Sequence, residues 1–118
     1  QLSIHFFNSF YEKSAQEMLH KILPNIDYPS AFSNWLQLAL DFSNPKELAI
    51  VGPKALSEIA QFNSNYLPGI LVSGSTKNSS LPFLSSRFQD KKTLFYLCKS
   101  KACQAPTENY DELLKSIL

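Results

Sequence analysis

Three short, uninterrupted apolar runs constrain this chain more than any other feature. The first is Glu47-Leu48-Ala49-Ile50-Val51, closed by Gly52-Pro53. The second is Ile70-Leu71-Val72, closed by Ser73-Gly74-Ser75. The third is Thr93-Leu94-Phe95-Tyr96-Leu97-Cys98. Runs of this length that do not alternate with polar positions fit strands buried on both faces of a sheet. Such a sheet needs helices to cover it. Residues 52–68, between the first two runs, provide one. Pro53 suits a first helical turn, where its missing N–H costs nothing, and Ala55, Leu56, Ile59, Ala60 and Asn63 continue the helical spacing. A strand, a helix and a strand with this much chain between them form a βαβ crossover unit. After the third run, Asn109 and Glu112 stand as an N-cap and N3 pair. Tyr110, Leu113, Leu114, Ile117 and Leu118 then trace a last amphipathic helix.

The first 45 residues have a different character. Phe7, Tyr11, Ala15, Met18 and Ile22 fall at helical spacing until Pro24 ends the run. Asp27-Tyr28-Pro29-Ser30 is a turn. Phe32, Trp35, Leu36, Ala39 and Leu40 then form a second, wide apolar stripe, broken at Asn44-Pro45. The fold class expected is therefore α/β. A helical pair over 1–45 precedes a small domain over 46–118. That domain holds a three-stranded, mostly parallel sheet with a βαβ unit and a C-terminal helix. The stretch 73–92 shows no period, yet it carries Leu81, Pro82, Phe83, Leu84 and Phe88. A long connection with that many apolar residues is expected to be tied down.

Composition narrows the function classes. At 118 residues the chain is about one domain long. Hydrophobic residues make up 44%, too many for a disordered segment. The net charge of +1 is too balanced for a nucleic-acid module. No apolar run approaches the roughly 18 residues of a membrane span. Neither nucleic acid nor membrane is expected as a partner. Charged residues are only 18%, below the roughly 25% of an average soluble domain. The surface is therefore unusually apolar, and self-association through the 1–45 helices is expected. The start, Gln1-Leu2-Ser3-Ile4-His5-Phe6-Phe7, has neither an initiator Met nor the basic and apolar regions of a signal peptide. A piece cut from a longer chain is expected.

Few residues suggest chemistry. Cys98 and Cys103 are the two cysteines, separated by Lys99-Ser100-Lys101-Ala102. The spacing leaves open reduced structural thiols, a disulfide closing a tight loop, a redox pair whose thiolates the lysines would favour, or half of a metal site. Small secreted scaffolds usually carry more cysteines. Reduced structural thiols in a cytoplasmic protein are therefore expected ahead of a disulfide, and a disulfide ahead of a redox pair or a metal site. No metal is expected, because only His5 and His20 could complete a site and both lie in the N-terminal helical part. Gly52, with Ser73, Gly74 and Ser75, marks the carboxyl edge of the first two strands, where open α/β sheets bind ligands. The glycine-rich phosphate-binding patterns are missing, and no cofactor is expected. Asp111 and Glu112 sit in a first helical turn, where they offset the helix dipole. Asn78-Ser79-Ser80 matches a glycosylation sequon, a short pattern that also arises by chance.

Three groups of segments, in order, carry a resemblance. They are Tyr11-Glu12-Lys13-Ser14-Ala15 through Tyr28-Pro29-Ser30-Ala31-Phe32 to Leu38-Ala39-Leu40-Asp41; Glu47-Leu48-Ala49-Ile50-Val51-Gly52; and Leu81-Pro82-Phe83-Leu84 with Tyr96-Leu97-Cys98, Cys103-Gln104-Ala105-Pro106-Thr107 and Glu112-Leu113. Over nearly its whole length the chain resembles the C-terminal end of thioredoxin-domain-containing proteins related to a spermatogenesis-associated protein. The most specific element is the strand followed by Cys-x4-Cys-Gln-x-Pro-Thr. The resemblance implies a parent with a thioredoxin-like domain, then an α/α toroid similar to sugar epimerases and six-hairpin glycosidases, then this region. Residues 1–45 would be the last toroid helices, 46–118 an α/β appendage, and the upstream domains its partners. Redox or carbohydrate chemistry would belong to those upstream domains. No catalytic residue carries over to this chain. Cys98, Cys103, Gln104, Pro106 and Thr107 map onto the family motif. The function expected is a non-catalytic structural domain, with a thiol redox module or a small ligand-binding module as alternatives.

Overall fold

The computed structural model describes residues 2–118. Helix α1 spans Leu2–Phe6 and α2 spans Ser9–Ile22. Two 3-10 turns follow, Leu23–Asn25 and Pro29–Phe32, then α3 (Ser33–Ser43). Strand β1 (Lys46–Val51), α4 (Ala55–Asn63), β2 (Ile70–Ser75), β3 (Leu94–Lys99), β4 (Ala102–Cys103) and α5 (Tyr110–Ile117) complete the chain. The expected α/β class holds, and so do the βαβ unit and the last helix.

The sheet itself differs from the expectation. It has four strands in the order β2-β1-β3-β4 and is mixed. β1 and β2 are parallel, whereas β1–β3 and β3–β4 are antiparallel. The reason lies in the connection after β2. Ser75, the end of β2, pairs with Val51, which pairs in turn with Leu94, the start of β3. Residues 76–93 therefore begin and end at one edge of the sheet. With no crossover helix to carry the chain to the opposite edge, β3 runs back antiparallel. β4 is only two residues long and has no apolar pattern of its own.

Each face of the sheet has its own core. On one, Leu48, Ile50, Phe95 and Leu97 pack against Ala55 and Phe62 of α4 and Leu113 and Ile117 of α5. On the other, Ala49, Val51 and Cys98 pack against Phe83 and Leu84, with Leu81, Phe88 and Tyr96 around them. The expected tying-down of the long connection is thus met by the sheet. Burial of Phe83 and Leu84 is worth on the order of 2 kcal/mol each, enough to hold a segment with no regular structure. β1 is buried along nearly its whole length. β2, at the sheet's edge, is only half-buried.

The N-terminal part is three helices rather than two. Phe7 adopts a left-handed backbone (φ 47°), and the Asn8 side chain caps α2 by accepting from the N–H groups of Phe10 and Tyr11. α1 is thereby turned back toward the sheet. There His5 Nδ1 lies 3.1 Å from Ser73 Oγ, and His5 and Phe7 meet the Phe83 ring edge-on. Leu19 is the buried side chain of α2, and α3 has none.

The molecule measures 51 × 29 × 21 Å, with a radius of gyration of 15.9 Å. A compact chain of this length would have about 13–14 Å. Its accessible surface is 7802 Å², against about 6,500 Å² for a compact monomer of this mass. Much apolar surface lies open in the segment before β1. Phe6, Phe7, Phe10, Tyr11, Met18, Leu23, Tyr28 and Leu40 are all exposed there, Phe10 at 71% and Leu40 at 64%.

Candidate functional site

Cys98 and Cys103 face each other across the β3–β4 hairpin. In an antiparallel pair, residues opposed in this way carry their side chains on the same face. The Cα atoms are 3.9 Å apart and the sulfurs are joined in a disulfide. This corrects the expectation of reduced structural thiols. The four intervening residues turn the chain so tightly that the two sulfurs meet. The connecting residues Ser100 and Lys101 both have left-handed backbones, with φ of 50° and 69°. That geometry matches the right-handed twist of a two-residue hairpin, but glycine or asparagine is the usual occupant.

The two sulfurs have unlike surroundings. Cys98 is 1% exposed, within the core on the Phe83 side, whereas Cys103 lies at the exposed edge. Arg87, the chain's single arginine, spans both. Its Nη1 is 3.8 Å from Cys98 Sγ and its Nη2 is 3.5 Å from Cys103 Sγ. The guanidinium is clamped between two rings, 5.0 Å from the centroid of Phe83 and 5.0 Å from that of Tyr96. Tyr96 closes the arrangement by donating its hydroxyl to the Arg87 carbonyl at 3.1 Å. Burial lowers the Arg87 pKa from its ordinary value, and the acidic groups Tyr96 and Glu47 oppose that shift. A guanidinium stays charged under such a shift.

Glu47 is the buried charged side chain of the core, at 5% exposure. It stands opposite Cys98 in the β1–β3 register. Burial raises its pKa above 4.5, with Glu12 adding to the shift and Lys101 and Arg87 opposing it. Lys101, at the hairpin tip, donates to both carboxylate oxygens of Glu12 in α2, at 3.1 and 2.9 Å. The hairpin is thus fastened to the helical part at its tip and to residues 83–87 at its base.

The remaining motif residues serve the edge beside β3. The Gln104 N–H donates to the Leu97 carbonyl at 2.9 Å, and Thr107 exchanges two backbone bonds with Phe95. Pro106 falls between them on an outer edge, where a missing N–H is tolerated. Thr107 Oγ1 donates to Glu112 Oε2 at 2.7 Å and accepts from the Asn109 N–H at 3.1 Å. Asn109 in turn caps α5. The N3 glutamate of the expected capping pair therefore reaches the cap through the threonine hydroxyl.

The strand edge at Gly52, Ser73, Gly74 and Ser75 is occupied by the protein's own groups. A Cβ on Gly52 (φ 142°) would come within 2.3 Å of the Lys92 carbonyl, and one on Gly74 within 2.5 Å of Ile59. Ser73 Oγ meets His5, and Ser75 Oγ donates to the Lys77 carbonyl at 2.7 Å. Nearby, a shallow pocket of about 220 Å³ is lined by Lys54, Lys92, Thr93 and Glu108, with Lys92 paired to Glu108. Among the described residues no cluster of three or more metal-ligating side chains forms. Among the described residues no helix is long and apolar enough to cross a membrane.

Arg87 has no place in the reading of the sequence, and Glu47 enters it only as the start of an apolar run, though each carries a signal. Arg87 is unique in the chain, and Glu47 is a carboxylate inside a run that otherwise demands burial. Comparison with known proteins finds no matching family model, curated protein or solved structure.

Proposed function

We propose that this chain is a structural module of a larger polypeptide, in which the α/β unit is mounted on a helical arm whose apolar faces rest on neighbouring helices. One observation carries the reading. α3 bears Trp35, Leu36, Leu38, Leu40 and Phe42, yet none of them is fully buried: Leu40 is exposed and the other four are half-buried. The sheet has closed a core on each face without that helix. Apolar helical surface of this extent is what a bundle neighbour covers. The resemblance of the sequence to the end of thioredoxin-like/α,α-toroid proteins supplies the neighbour: the preceding toroid helices, in a cytoplasmic parent whose chemistry is redox or carbohydrate related. The module itself performs no catalysis in this reading. Without those helices, copies of the chain cover one another's arms and form a homo-oligomer.

The test is the mass of the polypeptide that carries this sequence in its source cells, read by immunoblot with an antibody raised against residues 46–118. A band several times heavier than 13.3 kDa is expected. A native polypeptide of that mass would refute the proposal.

A further inference from the structure

The stapled hairpin has features that holding two strands together does not require. One cysteine of the bridge, Cys103, is exposed and the other, Cys98, is enclosed. A cation stacked between two rings lies against both sulfurs. The turn that the bridge closes holds two non-glycine residues in left-handed backbone, a conformation that a two-residue hairpin demands and that side chains other than glycine adopt at a cost.

We propose that Cys98–Cys103 is a thiol–disulfide exchange site, in which an external thiol attacks Cys103 and Cys98 is the leaving sulfur, its negative charge held by Arg87. The substrate class is a dithiol, and a monothiol such as glutathione shares the chemistry of the first step.

An external thiolate attacks Cys103 Sγ along its exposed side. A new S–S bond forms to Cys103, the Cys98–Cys103 bond breaks, and its electron pair leaves on Cys98 Sγ as a thiolate. The second thiol of the dithiol then attacks the partner's own sulfur in the mixed disulfide and releases Cys103 as a thiolate. The two protons of the dithiol finish on the two cysteines. The protein disulfide is reduced by two electrons, and the dithiol is oxidised to its disulfide.

Attack on the outer sulfur follows from access, since Cys98 has no exposed face. Departure of the inner sulfur needs a counter-charge in a site with little water, and a guanidinium beside the sulfur lowers a thiol's pKa. Lys99 and Lys101 lie between the two cysteines but are engaged elsewhere, Lys99 with the Ser116 carbonyl and Lys101 with Glu12, so the counter-charge at the sulfurs is Arg87. Glu47, opposite Cys98, is the carboxylate that works against the thiolate, and its burial, which raises its pKa, weakens that opposition. In the cytoplasm expected for the parent, the site would be exposed to thiols continuously. Exchange there would also loosen the hairpin tip from Glu12 and so change how the arm is held.

The experiment uses the oxidised 118-residue chain in glutathione buffers of graded ratio, with thiols counted by mass after alkylation. Reversible reduction within the buffered range is expected. With Cys98→Ser, the remaining Cys103 should take up glutathione from its disulfide. With Cys103→Ser, the remaining Cys98 should do so about tenfold more slowly. Arg87→Met should slow reduction of the wild-type pair about fivefold, and Arg87→Lys should restore part of the rate. Faster reduction by dithiothreitol than by glutathione at equal thiol concentration is expected of a dithiol substrate, and equal rates would overturn that assignment. A bridge that stays closed in the most reducing glutathione buffer would overturn the proposal. So would equal reactivity of the two single-cysteine variants, or an unchanged rate in Arg87→Met.

Discussion

Glu47 stands directly across from Cys98 in the antiparallel register of β1 and β3, so the core's buried carboxylate is the neighbour of its buried sulfur. Burial raises the Glu47 pKa, so the folded protein holds that proton more tightly than the unfolded chain. The contribution to stability is complete below pH 4.5 and is lost as pH rises through the folded-state value. Glu47→Gln should therefore gain stability relative to wild type at pH 8 and gain little at pH 4. Urea denaturation at the two pH values reads the difference.

Phe83 joins three parts of the molecule: the sheet core, the Arg87 clamp and the α1 contact through His5 and Phe7. Phe83→Ala should cost about 3–5 kcal/mol, as for other buried aromatic truncations. Chemical denaturation gives the total. A lesser loss for Phe83→Leu would show that burial outweighs the ring contacts.

The bridge closes a short loop. In the chain-entropy description its removal costs about 2 kcal/mol. The Cys98→Ser, Cys103→Ser double variant should remain folded, with its denaturation midpoint lowered accordingly. Wild type under dithiothreitol should match that midpoint.

Gly52 cannot accept a side chain, because its backbone is left-handed and Lys92 and Thr93 lie where a Cβ would go. Gly52→Ala should destabilise by more than the 1–3 kcal/mol or so of backbone strain alone. Gly69, also left-handed but with open space around it, should show only the strain when changed to alanine. Thermal melting of the two variants side by side separates clash from strain.

The strands, the βαβ unit and α5 were legible because each depends on a local signal: an unbroken apolar run, Pro53 in a first turn, Asn109 before an amphipathic stretch. What was not legible depends on distant geometry. The direction of β3 follows from where residues 76–93 leave the chain, and no residue within Leu94–Lys99 encodes it. β4 exists because a tight turn lays Ala102 and Cys103 against β3. The disulfide was one of several states open to two cysteines at this spacing, and the register at Cys98↔Cys103 selects it. The break between α1 and α2 rests on Phe7 in a conformation that its side chain does not announce, with Asn8 the one local cue. Arg87 becomes part of the site only when the long connection folds over the sheet.

The open apolar faces of the helical arm should drive self-association of the chain. Light scattering of the full 118-residue chain, coupled to size exclusion at several hundred micromolar, tests it directly. A mass of at least twice 13.3 kDa is expected, collapsing toward the monomer when Phe10 and Leu40 are both changed to glutamate. A wild-type chain that elutes at the monomer mass across that concentration range would mean the apolar helices need no neighbour, and would contradict the role assigned to them.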